Sequence, residues 1–71
     1  MSPRQLEYFL EIYNQKSIKK AAEKLIISPQ AVSKTIKEIE EELGVKLFLR
    51  GKKSLEPTAE AEYLKNHALK R

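Results

Sequence analysis

Seventy-one residues without a cysteine make one small domain that neither a disulfide framework nor a cysteine-based zinc site can brace. Fourteen Lys and Arg against ten acidic residues leave a net charge of +4, basic but not extreme. No apolar run approaches the roughly 20 residues of a membrane span and no basic-then-apolar leader opens the chain, so a soluble protein of a reducing, cytoplasmic compartment is expected.

Ser2-Pro3-Arg4-Gln5 reads as a helix start, because Ser2 and Gln5 have capping-box spacing and Pro3 takes the first helical position. Leu6, Phe9, Leu10 and Tyr13 then recur at i, i+3, i+4 and i+7, which predicts an amphipathic helix to about Lys16. Ser17 is placed to cap a second, short helix with Ile18, Ala21, Ala22 and Leu25 inward, and the adjacent alanines let another helix approach closely. Ile26-Ile27 is a short connection. Ser28-Pro29 repeats the cap-and-proline start for a third helix, which Gly44 closes. Helices two and three therefore form a helix-turn-helix over about residues 18–37.

In the third helix Val32, Ile36, Ile39 and Leu43 form one narrow apolar stripe, while Gln30, Ser33, Lys34 and Lys37 lie on the opposite face. The stripe predicts Ile36 as a central core residue. The other face holds side chains suited to base edges and phosphate oxygens, with no large apolar residue among them. Lys16, Lys19, Lys20, Lys24, Lys34 and Lys37 accumulate in the first half of the chain, whereas Glu38, Glu40, Glu41 and Glu42 load the C-terminal half of this helix. Carboxylates there oppose the macrodipole by roughly 0.3–1 kcal/mol each. Two readings stand: a helix polarised to admit its basic end to a phosphate surface and repel the other, or a solvated face paired with nearby lysines.

After Gly44 the period changes. Val45 to Arg50 is apolar-rich and lies between two glycines, which predicts a strand; Gly51-Lys52-Lys53 makes a turn and Ser54-Leu55-Glu56 a weak return strand. The result is a basic-tipped β-hairpin, a wing. Pro57 is expected to end the ladder and Thr58 to cap a last helix with Ala61, Leu64 and Ala68 inward.

Gln30, Ser33 and Lys34 are the candidate base-edge residues: Gln can bond adenine bidentately and Lys can donate to guanine O6 and N7, each good pair giving roughly 1–3 kcal/mol of discrimination. Ser17, Ser28 and Lys37 are candidate backbone contacts, the serines because helix N-termini offer free N–H groups and positive dipole ends to phosphate. Arg50, Lys52 and Lys53 would place the wing, residues 50–54, beside the DNA backbone or in the minor groove. The plainer alternatives are a solvated helix face, serines that only cap, and ordinary turn lysines. His67 is the only histidine and has no clustered partner, so no metal site is expected. The glutamates lack the isolated, buried pairing of acid–base catalysis, so neither an enzyme nor a cofactor is expected. Tyr8, Phe9 and Tyr13 read as core.

Arg4-Gln5-Leu6-Glu7-Tyr8-Phe9, then Ser17 to Leu25, Ser28 to Ser33, Ile36 through Ile39-Glu40, and Glu42 to Arg50 follow one another in an order and spacing that resemble the N-terminal winged helix-turn-helix domain of LysR-type bacterial transcriptional regulators. The resemblance covers nearly the whole chain. Pro29 matches a family position near the DNA groove and joins the base-contacting candidates, although Pro29-Gln30 reverses a common Gln-Pro order. Gly51-Lys52 stands where Thr/Ser-Gly is more familiar, Ala61 where the family favours glycine, and Leu49 where many members have a polar residue.

The resemblance implies a mostly α winged helix-turn-helix: a three-helix core, a two-stranded wing and the start of a C-terminal linker helix. Residues 1–58 would be the DNA-binding domain and 59–71 the start of a linker and dimerisation helix. It implies sequence-specific binding of double-stranded DNA, with a recognition helix at about 29–43 in the major groove, in the bacterial cytoplasm at the nucleoid. The alternative is a winged helix that docks another protein. A LysR-type regulator also carries a large effector-binding domain, through which any small-molecule ligand would act, and assembles as a homodimer or higher oligomer. The chain thus resembles an excised DNA-binding domain. Thr58 to Arg71 amounts to roughly 20 Å of helix. That is too little for an interface of about 800 Å² per partner, so alone the chain is expected to be a monomer or a weak dimer.

Overall fold

The computed structural model describes residues 1–51 and 54–68, which form α1 (Pro3–Gln15), α2 (Ile18–Leu25), α3 (Pro29–Leu43), β1 (Phe48–Arg50), β2 (Leu55–Pro57) and α4 (Ala59–Ala68). Serine hydroxyls start the first three helices. Ser2 Oγ accepts from the Gln5 amide at 3.1 Å while the Ser2 amide donates to Gln5 Oε1 at 3.0 Å, the reciprocal capping box. Ser17 accepts from Lys20 and Ser28 from Ala31, each at 3.1 Å. The same three helices end on left-handed residues, Lys16, Ile26 and Gly44. Only the last is glycine, the residue without a steric cost there.

The core lies where α1, α2 and α3 cross, within a body of 27 × 25 × 20 Å. Phe9, Ile12, Val32, Ile39 and Leu47 are its largest fully buried side chains. Phe9 packs against Phe48 of β1 with ring centroids 5.7 Å apart, a tilted contact that seats the wing on the helical core. Ala21 and Ala22 are buried, and their small size lets α2 lie against both α1 and α3. The predicted stripe of α3 is therefore corrected in detail. Val32 and Ile39 are fully buried and Ile36 only half so, while Leu43 is exposed, because α3 outlasts the core it packs on.

The wing is shorter than its apolar pattern predicts. Val45 and Lys46 are exposed and outside the strand. The Leu47 and Phe48 amides donate to Glu40 Oε2 at 2.8 and 3.3 Å, so a side chain takes the donors where the strand begins. β1 and β2 pair antiparallel with Phe48 opposite Pro57, Leu49 opposite Glu56 and Arg50 opposite Leu55. Pro57 thus ends the ladder from inside it rather than from beyond; in a two-stranded ribbon its missing N–H needs no second neighbour. The Gly51 amide donates to Ser54 O at 2.9 Å, and a Cβ on Gly51 would stand 2.8 Å from that same oxygen, so the close approach requires glycine. The Leu55 amide donates to Lys16 O at 2.9 Å, tying β2 to the end of α1.

Thr58 starts α4. Its Oγ1 accepts from the Ala61 amide at 3.2 Å and reaches Lys46 O at 2.6 Å, while its own amide donates to Leu47 O at 2.9 Å. Ala61 is fully buried and Leu64 packs partly on the core; the side chain of Ala68 lies outside the described residues. One turn on, the Tyr13 hydroxyl donates to Glu62 Oε1 at 2.5 Å. That bond, then burial, then the carboxylate's charge push the Tyr13 hydroxyl above its ordinary value of 10.0.

Candidate nucleic-acid interface

The first turns of α2 and α3, whose N-terminal amides have no intrahelical partners, contribute with the end of β1 to one surface. Ile18 and Lys19 of α2, Pro29, Gln30 and Ser33 of α3, and Arg50 of β1 line one concave surface. It runs into a cleft between α3 and the wing, where Ser33, Lys37, Lys46, Leu49 and Arg50 stand around a floor of Ile36, Phe48 and Leu55. Ile18, Ser33 and Arg50 belong to both, so the two depressions form one continuous channel.

The structure thus gathers Pro29, Gln30, Ser33, Lys37 and Arg50 from the sequence-predicted set. Lys34 is exposed on α3 but lines neither depression. The hydroxyls of Ser17 and Ser28 are engaged as caps, which leaves their amides and helix dipoles as the groups on offer to an anion. Lys52 and Lys53 lie outside the described residues. Lys19, Lys46 and Leu49 line the channel without having been singled out as site residues. Lys19 was legible as the second residue after a capping serine. Lys46 was not, because its position depends on where Glu40 holds the loop.

The electrostatics are one-sided. Lys19, Lys37, Lys46 and Arg50 line the channel, and among the described residues its one carboxylate is Glu40. Glu40 is largely buried, accepts from two amides of the wing segment and lies 3.8 Å from Lys46 Nζ, so its charge is already engaged by the protein. Of the remaining glutamates on α3, Glu42 binds the Met1 ammonium at 2.6 Å. The solvated-face reading of the acidic run therefore needs correction at Glu40, which is largely buried on the wing amides, whereas Glu42 is exposed and solvated beside the Met1 ammonium. Among the described residues no group of three or more His, Cys, Asp or Glu side chains gathers to hold a metal, and His67 stacks on Tyr63 with centroids 4.0 Å apart. No described helix is long and apolar enough to cross a membrane.

Residues 3–62 match the model of the bacterial regulatory helix-turn-helix proteins of the lysR family. The chain belongs to the LysR family. Among its curated LysR relatives, BenM of Acinetobacter baylyi is 37% identical over 70 residues, covering 99% of this chain and 23% of that protein. YwbI of Bacillus subtilis, an uncharacterized HTH-type transcriptional regulator, is 47% identical over 56 residues, covering 79% and 19%. The chain therefore spans about a fifth of the length of such LysR relatives. The BenM DNA-binding domain, solved in complex with catB site 1 DNA, superposes with a TM-score of 0.91 at 37% identity over 99% of this chain and 79% of that one. The CbnR DNA-binding domain, also solved with DNA, gives 0.91 at 29% identity over 97% and 79%. The fold is the winged helix-turn-helix of a LysR-type DNA-binding domain.

Proposed function

We propose that this domain binds duplex DNA sequence-specifically, with α3 in the major groove and the wing on the backbone or in the minor groove. The observation that carries the reading is the single basic channel in which the first turns of α2 and α3 meet Arg50 of β1. An α-helix fits the major groove, where every base pair shows a distinct donor and acceptor pattern. Pro29, Gln30, Ser33 and Lys34 are assigned to base edges and the groove. The N-termini at Ser17 and Ser28, with Lys37, Arg50, Lys52 and Lys53, are assigned to phosphates. The likeness to BenM and CbnR domains solved with DNA supports duplex binding. Residues 1–58 would act as the reading head and 59–71 as the start of a linker helix in a homodimeric bacterial regulator. Its effector would bind a separate domain, and its place would be the cytoplasm, at the nucleoid. No catalytic step is assigned to the chain.

Selection of bound duplexes from a random pool tests the reading and yields the site. Recovery of one sequence motif is expected, with affinity falling steeply with salt, about 0.9 log units per log unit of salt for each phosphate neutralised. No enrichment together with a flat salt dependence would leave a protein-docking winged helix in its place.

A further inference from the structure

We propose that Tyr13, Glu62 and Lys65 form a latch that sets the direction in which α4 leaves the head, and thereby the separation of the two DNA half-sites a dimer can read. The spacing consequence rests on the DNA-binding reading above; the latch itself does not.

A helix needs two separated attachments to have a fixed direction. The first is at its start, where Thr58 bonds the Lys46 and Leu47 carbonyls and Ala61 is fully buried. A pivot about that turn would leave those bonds in place. The second attachment is Tyr13, beside the partly buried Leu64 that packs on the core. The Tyr13 hydroxyl bonds Glu62, and Lys65 Nζ lies 4.7 Å from its ring centroid, with Lys16 Nζ at 4.9 Å. Tyr13 is itself buried and packs on Phe9 at 6.3 Å between centroids, so it is a rigid post rather than a surface side chain. Residues 58 and 65 are about 10 Å apart along a helix axis. Beyond Leu64 the described part of α4 offers no buried side chain to supply a third point.

The leverage is geometric. A pivot of about 20° about the first turn moves the far end of α4, about 15 Å away, sideways by about 5 Å. Two heads joined through such helices must span half-sites about 34 Å apart, one turn of DNA, and a shift of that size is more than a base-pair step. None of the three residues lines the channel. They are positioning residues: they decide which pair of sites fits, and single-site affinity is unaffected.

The test has two arms. Residual dipolar couplings of backbone amides in the 71-residue chain report the orientation of α4 relative to α1–α3 without DNA. One alignment should fit all four helices in the wild type, and Tyr13→Phe or Glu62→Ala, which leaves no acceptor for the hydroxyl, should take the α4 couplings off that common fit with the head unchanged. Glu62 is exposed, so its variant decides the matter should Tyr13→Phe disturb folding. Because the chain lacks cysteine, one cysteine appended after Arg71 joins two copies through a single disulfide. The joined wild type should prefer one spacer between two copies of the selected half-site, and the joined variants should lose that preference while single chains bind a lone half-site equally well. Unchanged α4 couplings in both variants, a wild type indifferent to spacer, or variants with its preference would each overturn the proposal. Failure of all chains to bind any duplex would instead overturn the DNA reading, with the couplings still reporting the latch.

Discussion

In the first half of α3, Lys34 and Lys37 stand exposed and, among the described residues, pair with no carboxylate; in the second half, Glu40 grips the wing and Glu42 the chain terminus. One helix thus uses its two ends for different work. Where charge is committed to the protein's own amides it stabilises the fold and has little left for a partner. Where it is unpaired it costs the fold little to keep and is free to meet phosphate or a base edge. Charge count alone does not separate a reading surface from a scaffold; the state of engagement of each charge does.

The largest effect should come from the scaffold side of that contrast. Ile39→Ala removes a fully buried side chain and should cost about 2–5 kcal/mol, against a smaller loss for the half-buried Ile36→Ala. Chemical denaturation of both variants checks the order; a reversal would put the helix in a different rotation. Glu40→Gln weakens two hydrogen bonds to a charged acceptor, roughly 1.5–3 kcal/mol for such bonds. Faster amide hydrogen exchange at Leu47 and Phe48, with α1 and α2 unaffected, is the expected signature.

The capping serines, the prolines behind two of them and the 3.6-residue period made the helices legible, each start matching an observed cap. What the pattern could not show depends on contacts between distant residues. Leu43 fits the stripe but finds nothing opposite it, since an apolar period records a face and not how far the core extends. Val45 has strand propensity, yet the chain just after it is held by Glu40, which accepts from the Leu47 amide across seven residues, a bond that no local signal announces. The Tyr13–Glu62 bond spans 49 residues and is invisible for the same reason. On the site, Pro29, Gln30, Ser33 and Lys37 of α3 line one surface with Arg50 of the wing, whereas Lys34 does not, and Lys46 enters only through the folded loop.

On the reading side, Lys34→Ala should relax preference at one base position, by about 1–3 kcal/mol of discrimination, while Lys37→Ala should weaken all sequences alike and lower the salt slope by about one unit. Duplex selection and salt titration on each variant distinguish the roles; identical behaviour would remove the division between base and phosphate contacts on α3. The smallest effect lies between the two regions, in the turn. Ile26 is β-branched, 88% exposed and held at φ 60°, ψ 47°, a left-handed conformation that costs an ordinary residue roughly 1–2 kcal/mol. Ile26→Gly should recover part of that, raising stability by up to about 1 kcal/mol in thermal melts with DNA affinity unchanged.

The bond from the Leu55 amide to the Lys16 carbonyl joins the wing to the body through main-chain atoms alone. Such an anchor does not depend on which side chains the hairpin carries. Residues on the exposed face of the wing, Leu49 and Glu56 among them, can drift in sequence, or be exchanged for those of another hairpin, without moving the platform that presents them. The exposed face of the wing is in that sense an interchangeable surface, while the helical body keeps its own sequence constraints.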